Sequence, residues 1–299
     1  MKNLLSIEQL SAKDIEKIVS LAVDLKKNRA KSPQVLAGQF WALIFNKSST
    51  RTRVSFEVGI RELGGSPMFM SGADMQLGRG EPAKDTARVM GRMVHGAVIR
   101  TYAQSDVDEF AKFSGIPTIN ALTDEEHPCQ ILADLLTIRQ RLGGWKGKRI
   151  CFLGDGDCNV ARSWIWAAAK LGFELVIGAP KAFQPEASFM KRVRTKHVRL
   201  EENPLKAVAG CDVLYTDVWV SMGKEEESVA RIKVLAPYQI DEALLAGAKK
   251  KAIVMHCLPA YRGKEITDDV MEDHAGVIFD QAENRLHAQK AVIVRMVAG

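Results

Sequence analysis

Short apolar runs alternate with amphipathic stretches along this 299-residue chain, and that alternation predicts its architecture. Strand-like runs fall at 40–45, 67–70, 96–100 and 116–120 in the first half, then at 149–153, 173–178, 212–216, 252–256 and 276–279. Between them, segments such as Lys84 to Val94 and Ile131 to Leu142 space their apolar residues three and four apart, as a helix requires. Repeated strand–helix units imply parallel sheets covered by helices on both faces. The expectation is an α/β chain of two doubly wound domains, each with a central parallel sheet flanked by helices. The run Gly143-Gly144-Trp145-Lys146-Gly147-Lys148 interrupts the pattern before a second series begins, which puts the boundary near residue 140. Domains at 1–140 and 141–280 follow, and the length suits two cores better than one.

In such sheets ligands collect at the carboxyl ends of the strands, where loops lead into helices. Chemically loaded residues stand at those places. Arg100 ends one strand-like run, and His127-Pro128-Cys129-Gln130 opens a helix. Asp217 follows 212–216, and His256-Cys257-Leu258-Pro259 closes the 252–256 run. The densest turn is Asn46-Lys47-Ser48-Ser49-Thr50-Arg51-Thr52-Arg53, which joins the first strand to a helix-like segment from Val54 to Leu63. A helix N-terminus offers unpaired N–H groups and partial positive charge, and Arg51 and Arg53 add guanidinium forks that match phosphate or carboxylate. One hydroxyl and one arginine would read as an ordinary capped helix. Four hydroxyls and two arginines in one turn favour an anion clamp.

Two common nucleotide motifs fail. Gly154-Asp155-Gly156-Asp157-Cys158-Asn159 follows a strand, but Asn159 stands where a dinucleotide fingerprint needs its third glycine, and no acid ends the next strand. The Gly143 to Lys148 run has the wrong spacing for a P-loop. The phosphate ligand is therefore not a nucleotide of either common kind. His127 and Gln130, three apart at a helix start, can face one point and steady negative charge on a carbonyl, although a polar cap explains His127 equally well. Asn159, Asp217 and Ser221 offer an amide, a carboxylate and a hydroxyl, a set that suits an amino acid. Cys257 is either a reactive thiol or a buried small residue.

Composition narrows the setting. The net charge of +6 suits anionic ligands. Basic residues are scattered, however, and the dense run from Lys191 to Arg199 lacks interleaved aromatics, so it reads as a solvated segment rather than a nucleic-acid face. Five cysteines without a close CxxC pair argue against a zinc ribbon or disulfide framework and for a reducing compartment. No apolar run approaches the ~18 residues of a membrane span, and the N-terminus lacks the pattern of a cleavable signal.

Taken together and in order, these segments resemble the aspartate/ornithine carbamoyltransferase family, its ornithine branch in particular. Ser49-Thr50-Arg51-Thr52-Arg53 is similar to the family's carbamoyl phosphate loop, and Asp74 to Glu81 to the mobile loop that completes that site. Arg100-Thr101 and His127-Pro128-Cys129-Gln130 resemble its other donor segments. Asp217-Val218-Trp219-Val220-Ser221-Met222-Gly223 is similar to the ornithine loop, His256-Cys257-Leu258-Pro259 to the branch signature, and Glu283-Asn284-Arg285-Leu286-His287 to the segment whose arginine reaches carbamoyl phosphate. The resemblance implies transfer of a carbamoyl group from carbamoyl phosphate to the δ-amino group of L-ornithine, giving citrulline and phosphate, with no metal or organic cofactor. It implies donor binding by Ser49, Thr50, Arg51, Thr52, Gln76, Arg100, His127, Gln130, Cys257, Leu258 and Arg285. Asn159, Asp217, Ser221 and Met222 would hold ornithine. Catalysis would rest on Arg51, Arg100, His127 and Cys257, with Cys257 or Asp217 managing the amine proton. It further implies a C-terminal helix, 281–299, packed on the first domain. A cytoplasmic homotrimer, or an assembly of trimers, would complete the picture, with the 74–81 loop supplied by a neighbour. The family carries paired asparagines after Gly-Asp-Gly, where this chain has Asp157-Cys158-Asn159; Asn159 is aligned with the ligand-binding one because Val160-Ala161-Arg162-Ser163 continues the pattern. Two alternatives stand beside this reading: a sibling transferase for putrescine or an acylated ornithine, and a non-catalytic module for phosphate ligands or nucleic acid.

Overall fold

The computed structural model describes residues 1–72, 81–220 and 228–298. The chain forms two compact units, one of residues 1–136 with 283–299 and one of residues 137–282. In chain order the elements are α1 (Ala12–Lys27), β1 (Phe40–Phe45), α2 (Thr50–Glu62), β2 (Ser66–Ser71), α3 (Ala83–Met93), β3 (Gly96–Arg100), α4 (Gln104–Ser114), β4 (Thr118–Leu122) and α5 (Pro128–Leu142). There follow β5 (Arg149–Leu153), α6 (Asn159–Leu171), β6 (Glu174–Gly178), α7 (Ala187–Val193), β7 (Val198–Glu201), α8 (Pro204–Val208), β8 (Val213–Thr216), α9 (Ser228–Leu235), α10 (Glu242–Ala246), β9 (Ile253–His256), α11 (Asp268–Asp273) and α12 (Ala275–Val297).

The first unit holds a parallel sheet ordered β2-β1-β3-β4, and the second a parallel sheet ordered β7-β6-β5-β8-β9. Central strands such as β1 and β3 are apolar and buried almost throughout, as strands covered on both faces must be. In each sheet the strand order reverses once, between β1 and β3 and between β5 and β8. The loops that leave those strand pairs splay apart and open a crevice at their carboxyl ends. Ser49, Arg51 and Arg100 belong to the first crevice; Asn159 and Asp217 belong to the second.

Two sequence expectations are corrected. Residues 276–279 form no strand but the first turns of α12, where Ile278 and Gln281 are buried and Phe279 is exposed. That spacing is helical, and a four-residue apolar run alone cannot separate the two states. Conversely, part of the Lys191 to Arg199 run builds β7 at the edge of the second sheet. Its polar residues hid it, yet Arg199 and Glu201, two apart on one face, pair at 2.7 Å.

Within the first unit α12 is tied down by charge. Lys290, fully buried, donates to Glu62 and to Ser32, both at 2.6 Å. Lys26 on α1 donates to Asn284 (2.8 Å). These contacts fix the helix turn that carries Arg285. In the second unit Trp164 on α6 packs edge-on against Tyr215 of β8 and Phe173, which seats α6 on the sheet.

Candidate active site

Ser49 caps α2: its backbone is extended (φ −167°) and its hydroxyl accepts from the N–H of Thr52 at 3.3 Å. The same hydroxyl donates to Oγ1 of Thr52 (3.0 Å), so the small side chains of this turn hold one another. Arg51 is exposed and makes no hydrogen bond or ion pair with the described residues, which leaves its fork available for an anion. Arg53 is committed elsewhere. It pairs with Glu57 (2.8 Å) and lies over the Phe69 ring at 3.8 Å, so the clamp has one arginine from this turn rather than two.

Next to the clamp stands Arg100, buried at the end of β3, whose carbonyl accepts from the N–H of Asn46 (2.8 Å). Arg285 gathers the remaining groups. It donates to Oε1 of Gln130 at 2.8 Å and to Oγ1 of Thr52 at 3.3 Å, and its Nη1 lies 3.5 Å from Nε2 of His127. Burial, with Arg285 and Arg100 nearby, holds the His127 imidazole well below its ordinary titration range. It is neutral at physiological pH, a polar group beside fixed positive charge. Lys47 pairs with Asp124 and lies over the Tyr102 ring (4.2 Å), adding a cation at the same strand ends.

The second unit presents a different chemistry. The Cys257 thiol donates to Oδ1 of Asp217 at 2.7 Å, and the N–H of Val218 reaches the same oxygen at 2.7 Å. Burial pushes the Asp217 carboxyl above its usual range, against the pull of the thiol and that N–H. His256 and Glu265 are both buried and 3.3 Å apart. The N–H of Leu258 donates to Nδ1 of His256 (2.8 Å), so the imidazole proton belongs on Nε2, facing Glu265. That bond also holds Leu258 in a left-handed conformation (φ +58°), uncommon for a branched residue.

The loop after β5 is fixed by glycines and ion pairs. Gly154 has φ +115°, and a Cβ there would lie 2.9 Å from the Trp219 indole nitrogen; one on Gly156 would lie 2.4 Å from Ile177. Asp157 forms a bidentate pair with Arg162 (2.9 Å twice), while Asp155 pairs with Arg231, whose Nε donates to the Trp219 carbonyl at 2.9 Å. Cys158 caps α6, its sulfur accepting from Ala161 N–H at 3.5 Å. Asp157 and Cys158 thus serve the loop's geometry and the start of the helix that carries Asn159.

Set beside known proteins, residues 2–140 match the family described as aspartate/ornithine carbamoyltransferase, carbamoyl-P binding domain. Residues 146–296 match its Asp/Orn binding domain. The chain belongs to the aspartate/ornithine carbamoyltransferase family. The ornithine carbamoyltransferase of Akkermansia muciniphila is 59% identical over 299 residues, 99% of this chain and 98% of that one. Among solved structures, ornithine carbamoyltransferase from Pyrococcus furiosus superposes with a TM-score of 0.94 at 42% identity, covering 100% of this chain and 97% of the other. Anabolic ornithine carbamoyltransferase from Campylobacter jejuni gives 0.94 at 40%, covering 99% of each. The resemblance to this carbamoyltransferase family and its two-domain parallel α/β fold are both borne out.

Within this carbamoyltransferase chain, one unit brings together Ser49, Thr50, Arg51, Thr52, Arg100, His127, Gln130 and Arg285. The other brings Asp217 against Cys257, with Leu258 beside it and Asn159 opening α6 in the neighbouring loop. Gln76, Ser221 and Met222 lie outside the described residues. Sequence reasoning passed over Glu265 and Arg231, whose partners His256 and Asp155 lie 9 and 76 positions away. A local pattern carries no trace of such pairs. Lys47 was in view inside the loaded turn, but its pairing with Asp124 was not.

Proposed function

We propose that this chain transfers a carbamoyl group from carbamoyl phosphate to the δ-amino group of L-ornithine, releasing phosphate and citrulline. The observation that carries the reading is Arg285, which draws the clamp residue Thr52 and the pair His127 and Gln130 around one point. In this scheme Ser49, Thr50, Arg51, Thr52 and Arg100 hold the phosphate, with Gln76 assigned to the same ligand. The neutral amine nitrogen attacks the carbamoyl carbon, and negative charge gathers on the carbamoyl oxygen. His127, Gln130 and Arg285 stabilise that oxygen as the tetrahedral state forms. The C–O bond to phosphate then breaks, and the leaving group departs onto the arginines. Asn159, Asp217, Ser221 and Met222 orient the amino acid. Cys257 and Asp217 take up the proton that the amine loses, and burial of Asp217 makes it a better base than an exposed carboxylate.

We assign the active form to a cytoplasmic homotrimer, or an assembly of trimers, that serves arginine synthesis. The edge strand β2 exposes Met68 and Phe69, and Phe40 and Val54 in the same unit are also exposed, an apolar set suited to a second copy. Anabolic is the word attached to the Campylobacter jejuni relative. No helix among the described residues is long and apolar enough to cross a membrane.

The decisive assay measures carbamoylation of ornithine, putrescine, acylated ornithine and aspartate at fixed carbamoyl phosphate. Ornithine should give the highest kcat/KM. Equal or better turnover of putrescine would overturn the assignment of acceptor.

A further inference from the structure

We infer that Glu126 is a positioning residue for His127, acting by anchoring the loop from β4 to α5 onto the N-terminal segment. Glu126 directly precedes His127, and both are buried, at 5% exposure each. Its carboxylate accepts from the N–H of Ile7 at 2.8 Å and from that of Glu8 at 3.5 Å. Hydrogen bonds from neutral donors to a charged acceptor are the stronger kind, and burial strengthens them further. The segment it grips is itself immobilised. Leu4 donates to the Thr118 carbonyl (3.0 Å) and its own carbonyl accepts from Asn120 (2.7 Å), extending the sheet beyond β4. The amides of Asn120 and Gln104 both reach the Leu5 carbonyl, at 2.9 and 3.2 Å. On the loop side, Thr123 and Glu126 close a turn on each other: Thr123 N–H donates to the Glu126 carbonyl (3.0 Å), and Glu126 N–H to the Thr123 hydroxyl (3.1 Å).

Other contacts hold this loop farther from the imidazole: the Asp124 N–H donates to the Tyr102 carbonyl (2.8 Å), Asp124 pairs with Lys47, and the Thr123 hydroxyl donates to Gln104 (2.9 Å). The Glu126 carboxylate acts on the residue next to His127 and sets its place relative to the sheet. Loss of it leaves the clamp on α2 intact and frees His127 to shift by a fraction of an ångström. Displacements of that order matter most where charge develops, so the effect belongs in kcat rather than in donor affinity.

This inference rests on the reading of His127 as a group that stabilises the carbamoyl oxygen, and the test separates the two. In the intact enzyme, E126A should lower kcat by roughly 10- to 100-fold while KM for carbamoyl phosphate stays within about threefold. E126Q, which keeps one acceptor oxygen, should recover most of that loss. In an H127N background the E126A factor should disappear, because nothing remains to be positioned. An E126A enzyme with wild-type kcat, or an equal factor with and without His127, would overturn the proposal. Wild-type kcat in H127N alone would instead remove the role of His127 and take the inference with it. If E126A fails to fold, the same cycle is run with E126Q, whose smaller loss must likewise vanish in H127N.

Discussion

The thiol of Cys257 and the carboxylate of Asp217, 40 positions apart in sequence, meet at 2.7 Å at the carboxyl ends of β9 and β8. Adjacent parallel strands in register make this possible: Thr216 and His256 are direct partners, so the residues that follow each leave the sheet side by side. In the proposed mechanism this contact gives the acceptor half of the reaction a shared acid–base pair rather than a single base. Either change, C257A or D217N, should lower kcat with ornithine by roughly 10²-fold, the ordinary scale for a positioned proton acceptor. The double variant should lose little more than the worse single one. Independent, multiplying losses in steady-state kinetics would mean that the two act separately.

Arg51 is the arginine of the α2 turn that has no protein partner among the described residues, whereas Arg53 is taken by Glu57 and Phe69. R51A should cost about 3 kcal/mol in kcat/KM for carbamoyl phosphate, a factor of roughly 10². R53A should leave kcat/KM within about threefold and show instead as a small loss of stability, under about 1 kcal/mol. Reversed outcomes would relocate the clamp.

His127 links stability to pH in a definite direction. Its folded imidazole titrates well below 6.5, while the unfolded chain titrates near that value. Between the two, the unfolded state binds a proton that the folded state refuses. Stability is therefore complete above about pH 6.5 and falls as pH drops below it, by at most ~1.4 kcal/mol per pH unit for this one group. His274 and His287, also held low chiefly by burial, act in the same sense. Urea melts between pH 5 and 8 should show the decline, and H127N should make it shallower by one proton. An unchanged slope would show that His127 is protonated in the fold.

The pair Lys290 and Glu62 should respond asymmetrically. Lys290 is wholly buried, whereas the Glu62 side chain is 21% exposed and has Arg29 as a second partner. E62A leaves an ammonium group buried without its carboxylate and should destabilise by about 3 kcal/mol. K290M leaves a carboxylate that still has Arg29 and some water, and should cost under about 1.5 kcal/mol. Chemical denaturation of the two variants settles the order.

How much of this was legible in the sequence follows from the range of the interactions. Seven of the strands were readable because buried parallel strands are continuous apolar runs, the edge strand β2 because it is apolar although exposed, and loaded residues at strand ends marked the crevices. β7 was hidden because an edge strand can be half polar, and the start of α12 was misread because four apolar residues have no period. Ser49, Thr52 and Arg51 were legible as a set, being neighbours on one turn. Arg53 was not, since its commitment to Phe69 depends on β2 lying beside β1. The union of Arg285 with His127, 158 positions away, could be anticipated only through the family resemblance.

The reversal of strand order in the second sheet has an evolutionary consequence. The groups assigned to the amino acid come from two loops that leave adjacent strands, β5 and β8, while the groups assigned to the phosphate of the donor belong to another sheet altogether. Insertions and substitutions in those two loops can therefore explore new amine acceptors without touching the residues that hold the phosphate. The fold separates what is transferred from what receives it, and lineages built on it can keep one chemistry while changing its customer.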